Sequence, residues 1–232
     1  QTAGSNAFQT VDAAGTSAAT QASALAEFDA YVAALRDRGI EVFVFEDTAE
    51  PHTPDSIFPN NWVSFHDDGS VIMYPMEAEN RRTERREDII ASLKDHYAIS
   101  SVTDISAHEQ SGKYLEGTGS LIFDYAHDEV YASYSSRTHP ELLEEISERL
   151  SVKVIGFHAV DGQGKDIYHT NVVMCLGHSY AVICMDAITD ETEHAEVQAR
   201  LERTGHEVIA ISQEQLAQFA GNMYELQAAD GS

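Results

Sequence analysis

The 232 residues are 43% apolar and 9% aromatic, enough to bury a core as one domain over 1–232. Fourteen Lys and Arg against 39 Asp and Glu leave a net charge of -25, which argues against phosphate backbones and anionic membranes as partners. No apolar run approaches the roughly 18 residues of a membrane-spanning helix, and no basic, apolar targeting segment is visible, so a soluble protein is expected. The chain begins at Gln1, so its start says nothing about export.

In chain order, a helix with Leu25, Phe28, Val32 and Leu35 on one face is followed by a strand, EVFVFE, at 41–46. NWVSFH and VIMYP then flank a turn at Asp68-Gly69. A helix carrying Ile89, Ile90 and Leu93 and a strand around 102–105 complete the unit. The order repeats with SLIFDY and EVYASY around His127-Asp128. Thr138 and Glu141 form a capping box for a helix with Leu142, Leu143, Ile146 and Leu150, and VKVIGF is the closing strand. A third unit has NVVMCLG and YAVICMDA about Gly177-His178, a helix starting near Asp190 with Val197 and Leu201 inward, and HEVIAI. Ser212 and Gln215 cap a short helix, after which GNMYELQAADGS opens a fourth hairpin turning at Asp230-Gly231.

This is a ββαβ repeat with a period of roughly 50 to 60 residues. Three full units and two partial ones predict an α/β propeller of about five units around a pseudo-fivefold axis, since a ring lets each unit cover its neighbour's apolar face. The competing expectation is an open α+β sheet. A last strand without a partner predicts that residues are missing at the C-terminal end, and the partial first unit predicts the same at the N-terminal end.

The two cysteines, Cys175 and Cys184, lie in the paired strands of the third hairpin. A turn at His178 and Ser179 sets Cys175 opposite Val182, which disfavours a disulfide and points to a reducing compartment, the cytoplasm. The eleven histidines include His52, His66, His108, His127 and His158, scattered without H-E-x-x-H or paired-Cys spacing. Neither a metal site nor a cofactor is expected.

Ionisable residues gather where each hairpin begins, in PHTPDSIFPNNW, KYLEGTGS and GKDIYHTN. Equivalent places in a ring converge on one end of its axis, so Asp55, Glu116 and His169 are expected to meet. Two carboxylates to hold N–H donors and a histidine to move protons suit a reaction at a planar carbon bearing nitrogens. Taken singly, each has an ordinary structural use: Asp55 in a turn, Glu116 on the surface, His169 as a hydrogen-bonded core residue.

PDSIFPNNW, LEGTGSLIFD and YHTNVV, in that order, resemble the motifs of the arginine deiminase and dimethylarginine dimethylaminohydrolase families of the pentein superfamily. MYPMEAENRRTERR and GNMYEL extend the resemblance across the chain, with the arginine-deiminase-related group that includes citrulline utilisation hydrolases the best match. The resemblance implies that Asp55 and Glu116 hold the substrate's terminal nitrogens and that His169 is general acid and base. It also implies that Arg137, in SSRT, meets the α-carboxylate of a small amino-acid substrate, assisted by Arg81 or Arg82. Where relatives acting on cationic guanidinium place an Asp, this chain has Asn61, and Asn171 follows the histidine. An amide both donates to and accepts from a neutral urea, which favours citrulline to ornithine over deimination of arginine.

Penteins of this kind attack through a cysteine thiolate near the C-terminus. Cys175 and Cys184 lie among Val, Met, Leu and Ile, which disfavours a thiolate, so the nucleophile is expected in a segment beyond the fourth hairpin. The alternatives are an inactive pentein that binds an arginine- or citrulline-like amino acid, and an amidinotransferase. Association with further copies of the chain stays open.

Overall fold

A computed structural model of the chain describes residues 17–228. Helix α1 (Ser17–Asp37) buries Val32 and half-buries Phe28 and Leu35, while Leu25 is 60% exposed, so the inward stripe is narrower than its spacing predicts. The strand expected at 41–46 does not form. The segment runs without a ladder, its Val42 carbonyl taken by Arg36 Nη2 at 2.8 Å and its Glu46 carbonyl by Arg86 Nη1 at 2.7 Å. Alternating apolar residues make a strand only where another backbone is present to bond them.

Three units follow. Strands β1 (Val63–Phe65) and β2 (Ser70–Met73) form an antiparallel hairpin, helix α2 (Glu87–Leu93) crosses over, and β3 (Ser101–Asp104) pairs parallel to β2. Helical turn α3 (Gly117–Ser120) leads into β4 (Ile122–Asp124) and β5 (Glu129–Ser133). Helix α4 (Pro140–Leu150) then returns the chain to β6 (Lys153–Phe157), parallel to β5. Helical turn α5 (Thr170–Val173) leads into β7 (Met174–Leu176) and β8 (Tyr180–Ile183), and helix α6 (Glu191–Arg203) precedes β9 (Glu207–Ala210), parallel to β8. Each sheet has its first two strands antiparallel and its third parallel, the arrangement a crossover helix produces.

The expected turns are present: Gly69 and Asp128 both take positive φ at the first two hairpin tips. In the third hairpin Cys175 is paired with Val182, and both cysteines are free, buried thiols. Asp190 caps α6 by accepting the Thr192 and Glu193 N–H groups. Ser212 and Gln215 make a reciprocal capping box on α7 (Gln213–Leu216).

The Thr138–Glu141 box is not formed. Pro140 occupies the first turn of α4 and His139 is the residue before it, without a side-chain cap. Thr138 instead bridges Leu115 and Ser135, and Glu141 pairs with Lys113. Residues 222–228 carry no ladder, so the first strand of a fourth hairpin is absent there, and the Asp230-Gly231 turn lies outside the described residues.

The apolar core is distributed between neighbouring units. Trp62, Val71 and Ile90 pack within the first, Ile72, Tyr74 and Ile105 join Leu121, Val130 and Ile146 of the second, and Tyr131, Ile155 and Phe157 join Val173, Val197 and Leu201 of the third. Burial of this shared surface fixes how the entrances to successive hairpins face each other.

Candidate active site

Each hairpin is entered through one helical turn: the 3₁₀ turn Pro59–Asn61 in the first unit, then α3 and α5. Glu116 immediately precedes α3 and His169 immediately precedes α5, so the two side chains leave from equivalent places. Phe58 holds that place in the first unit, and Asn61, at the far end of its turn, is the residue that reaches the other two.

Glu116, His169, Arg137 and Asn61 form one buried group. His169 Nε2 lies 2.8 Å from Glu116 Oε2 and 3.4 Å from Asn61 Nδ2. Arg137 Nη1 is 3.4 Å from the same Glu116 oxygen, while Glu116 Oε1 accepts the Glu77 backbone N–H at 3.0 Å. Arg137 Nε donates to Glu77 Oε2 at 2.9 Å, and its guanidinium lies over the Tyr168 ring, 4.8 Å from the centroid. With Glu116 accepting at Nε2, Nδ1 is the basic nitrogen of His169.

The loop sequence Gly117-Thr118-Gly119 makes this closeness possible. A Cβ on Gly119 would stand 2.9 Å from Asn61 Nδ2 and 3.0 Å from His169 Nδ1, and one on Gly117, at φ +45°, would stand 2.2 Å from the Asn60 carbonyl oxygen. Two hydroxyls brace the site beneath, Ser120 within the second unit and Thr170 between the second and third. Ser120 Oγ donates to the Arg137 carbonyl at 2.8 Å. Thr170 Oγ1 donates to the Ser120 carbonyl at 2.6 Å and accepts the Ser133 N–H at 2.8 Å.

Burial alone would raise the Glu116 carboxyl, but the hydrogen bond and charge of His169, the charge of Arg137 and the Glu77 N–H outweigh it and bring it down to about 2. Burial pushes His169 below its ordinary value, with Arg137 and Arg81 adding to the effect and Glu116 opposing it. The donors around Glu116 thus favour its carboxylate, while burial favours the neutral form of the imidazole beside it.

Asp55 belongs to a second group built on Arg81. Its carboxylate is 3.6 Å from Arg81 Nε, its carbonyl accepts from Arg81 Nη2 at 3.2 Å, and its N–H goes to Glu84 Oε1 at 2.8 Å. Arg81 also donates twice to Glu84 Oε2, at 2.9 and 2.8 Å. Burial raises the Glu84 carboxyl against the pull of Arg81. Arg82 serves the backbone instead, donating to the Met76 and Glu77 carbonyls at 2.9 and 3.3 Å. Asn171 is half-buried on α5 and takes no hydrogen bond within the cluster.

Cys175 and Cys184 sit in the core of the third unit, where burial pushes both thiols up. Among the described residues no group of three His, Cys, Asp or Glu side chains is placed to hold a metal ion, and no helix is long and apolar enough to cross a membrane. A surface depression lined by Met185, His194 and Val208 contains none of the candidate residues. Sequence reasoning missed Glu77, Glu84 and Gly119. The local signals were Gly-x-Gly directly after the acidic residue and the i, i+3 spacing of Arg81 and Glu84, whereas Glu77 reaches the site through contacts distant in sequence.

Over residues 1–232 the sequence matches the family described as N,N dimethylarginine dimethylhydrolase, eukaryotic. Apo ArgZ, an arginine dihydrolase from the ornithine-ammonia cycle in Cyanobacteria, is similar in structure with a TM-score of 0.70 at 17% identity, over 89% of this chain and 31% of that one. The ternary complex of AgrE with ornithine and NAD+ gives 0.69 at 18% identity, over 88% and 28%. A mutant of DDAH from Pseudomonas aeruginosa complexed with citrulline gives 0.55 at 17% identity, over 86% and 85%. The chain thus spans less than a third of the ArgZ and AgrE chains and most of the Pseudomonas chain. No curated protein matches the sequence significantly.

Proposed function

Because the chain belongs to the N,N dimethylarginine dimethylhydrolase family, among the guanidino-group-modifying penteins, we propose that it hydrolyses a C–N bond at the guanidino or ureido carbon of an amino acid. The observation that carries the reading is the buried Glu116–His169 pair, 2.8 Å apart, with Arg137 beside it. In this mechanism a cysteine thiol passes its proton to His169 as the sulfur attacks the planar carbon and forms a C–S bond. The C–N bond then breaks and the departing amine takes that proton from His169; water gives a proton to His169 as it attacks the carbon, and the C–S bond breaks to return the sulfur, which is reprotonated by His169.

Glu116 and Asp55 hold substrate N–H groups, Arg137 takes the α-carboxylate, and Arg81 orients Asp55. Asn61 and Asn171 face a neutral ureido group better than a cationic one, which ranks citrulline to ornithine ahead of arginine deimination. The described residues supply three of about five ββαβ units in the proposed ring. The two unpaired thiols support a cytoplasmic setting.

Neither Cys175 nor Cys184 suits the nucleophile, since burial holds both as thiols. The mechanism therefore calls for a further cysteine in the natural protein. The same inert thiols favour the second reading, a protein that binds such an amino acid without turning it over. The test joins intact mass to release of ammonia from citrulline and arginine and of the methylated amine from dimethylarginine. A natural protein heavier than 25.5 kDa, with turnover abolished by thiol alkylation, is expected. A mass of 25.5 kDa with binding but no turnover rejects the hydrolase in favour of the binder.

A further inference from the structure

The rim of the cluster carries a carboxylate that the proposed mechanism leaves unused. The Glu77 side chain is 30% exposed, whereas its partner Arg137 is 2% exposed and Glu116 is 0% exposed, so Glu77 approaches the guanidinium from the solvent side. Its main chain is clamped from both directions. The N–H is held by Glu116 Oε1 at 3.0 Å, the carbonyl accepts from Arg82 Nη2 at 3.3 Å, and the preceding Met76 is held at its carbonyl by Arg82 Nε and at its N–H by Glu109 Oε1. A charged side chain on so fixed a backbone presents its carboxylate at a defined place next to Arg137.

An α-amino acid carries an ammonium and a carboxylate on one carbon. A guanidinium paired with a carboxylate at 2.9 Å is the mirror image of that head group, and four alternating charges leave each one beside two of opposite sign. We infer that Glu77 is a specificity-determining residue that receives the substrate's α-ammonium while Arg137 receives its α-carboxylate; the inference rests on the function proposed above. A compound that lacks the ammonium sets its carboxylate near Glu77 with only the Arg137 guanidinium to offset two negative charges. Glu77 therefore rejects it as well as welcoming the amino acid.

The test uses the full natural protein with citrulline and arginine, each beside its analogue without the α-amino group. The unaltered protein is expected to favour the amino acid in kcat/KM by about tenfold or more, the worth of one charged hydrogen bond. In Glu77→Gln, which keeps the backbone N–H and a neutral bond to Arg137, KM for the amino acid rises about tenfold with kcat within about twofold. The analogue's KM stays level or falls, and Glu77→Asp recovers part of the preference. An equal loss on amino acid and analogue, or a preference undiminished in Glu77→Gln, overturns the inference while leaving the hydrolase intact. Failure of the unaltered protein to turn over any of the four compounds overturns both.

Discussion

Glu116 and Glu84 are buried to nearly the same degree, 0% and 2% exposed, and each is paired with an arginine, yet the first is held down to about 2 while the second is pushed up. The difference lies in the partners. Glu116 also shares its arginine, with Glu77, but three donors from separate segments converge on it: His169, Arg137 and the Glu77 N–H. Glu84 must share Arg81 with Asp55, whose carboxylate adds repulsion. Depth of burial does not decide whether a carboxyl ionises; the ratio of donors to acids around it does.

The sharpest way to break this comparison is through His169, the proposed proton-transfer partner of Glu116. Replacing His169 by Asn is expected to lower kcat by about 10²- to 10⁴-fold, measured as ammonia release at saturating substrate. A loss below about threefold would remove His169 from the reaction.

Stability distinguishes the two arginines. Arg137→Ala strands an ionised carboxylate in the interior and is expected to cost about 3 to 5 kcal/mol in urea unfolding. Arg81→Ala leaves Glu84 and Asp55, and because Glu84 already holds its proton more tightly, protonation relieves part of the loss. A cost of about 1 to 3 kcal/mol is expected there. Equal costs would mean that the two groups do not differ as described.

Acid titration sharpens the same contrast. Glu116 has a folded value near 2 against an ordinary 4.5, so the stability it contributes is complete above about pH 4.5 and is lost as pH falls toward 2. Glu84 works in the opposite sense: its raised value makes ionisation cost stability as pH rises from 4.5 through the folded value. Glu116→Gln is therefore expected to flatten the acid limb of the unfolding curve, and Glu84→Gln to leave it steep. The smallest effect belongs to the thiols. Cys184→Ala is expected to leave kcat within about twofold, because the group is buried and held protonated.

The three hairpin units were legible because turns, apolar alternation and helical spacing are local. Asp68-Gly69, the inward face of Leu142 and Ile146, and the Ser212–Gln215 box needed nothing from the rest of the chain. The strand at 41–46 failed for want of a neighbouring backbone, and the box at Thr138 because Pro140 starts the helix one residue later, with His139 before it. In the site, placement before successive hairpins located Glu116 and His169. Asp55 was legible as polar and near, yet its attachment to Arg81 was not. Glu77 remained hidden because its two relevant contacts, to Glu116 and Arg137, span 39 and 60 positions.

Thr170 carries a consequence for how the molecule comes into being. Its hydroxyl spans the second and third units, and the residue before it meets a carboxylate 53 positions earlier. During synthesis Glu116 emerges well before His169, and the loop between them closes only once the third hairpin has packed. Until then the nascent chain holds half of the proposed proton relay. The Glu116–His169 pair is thus completed at a late, long-range step, and gain of the proposed activity during refolding would time the docking of these two units.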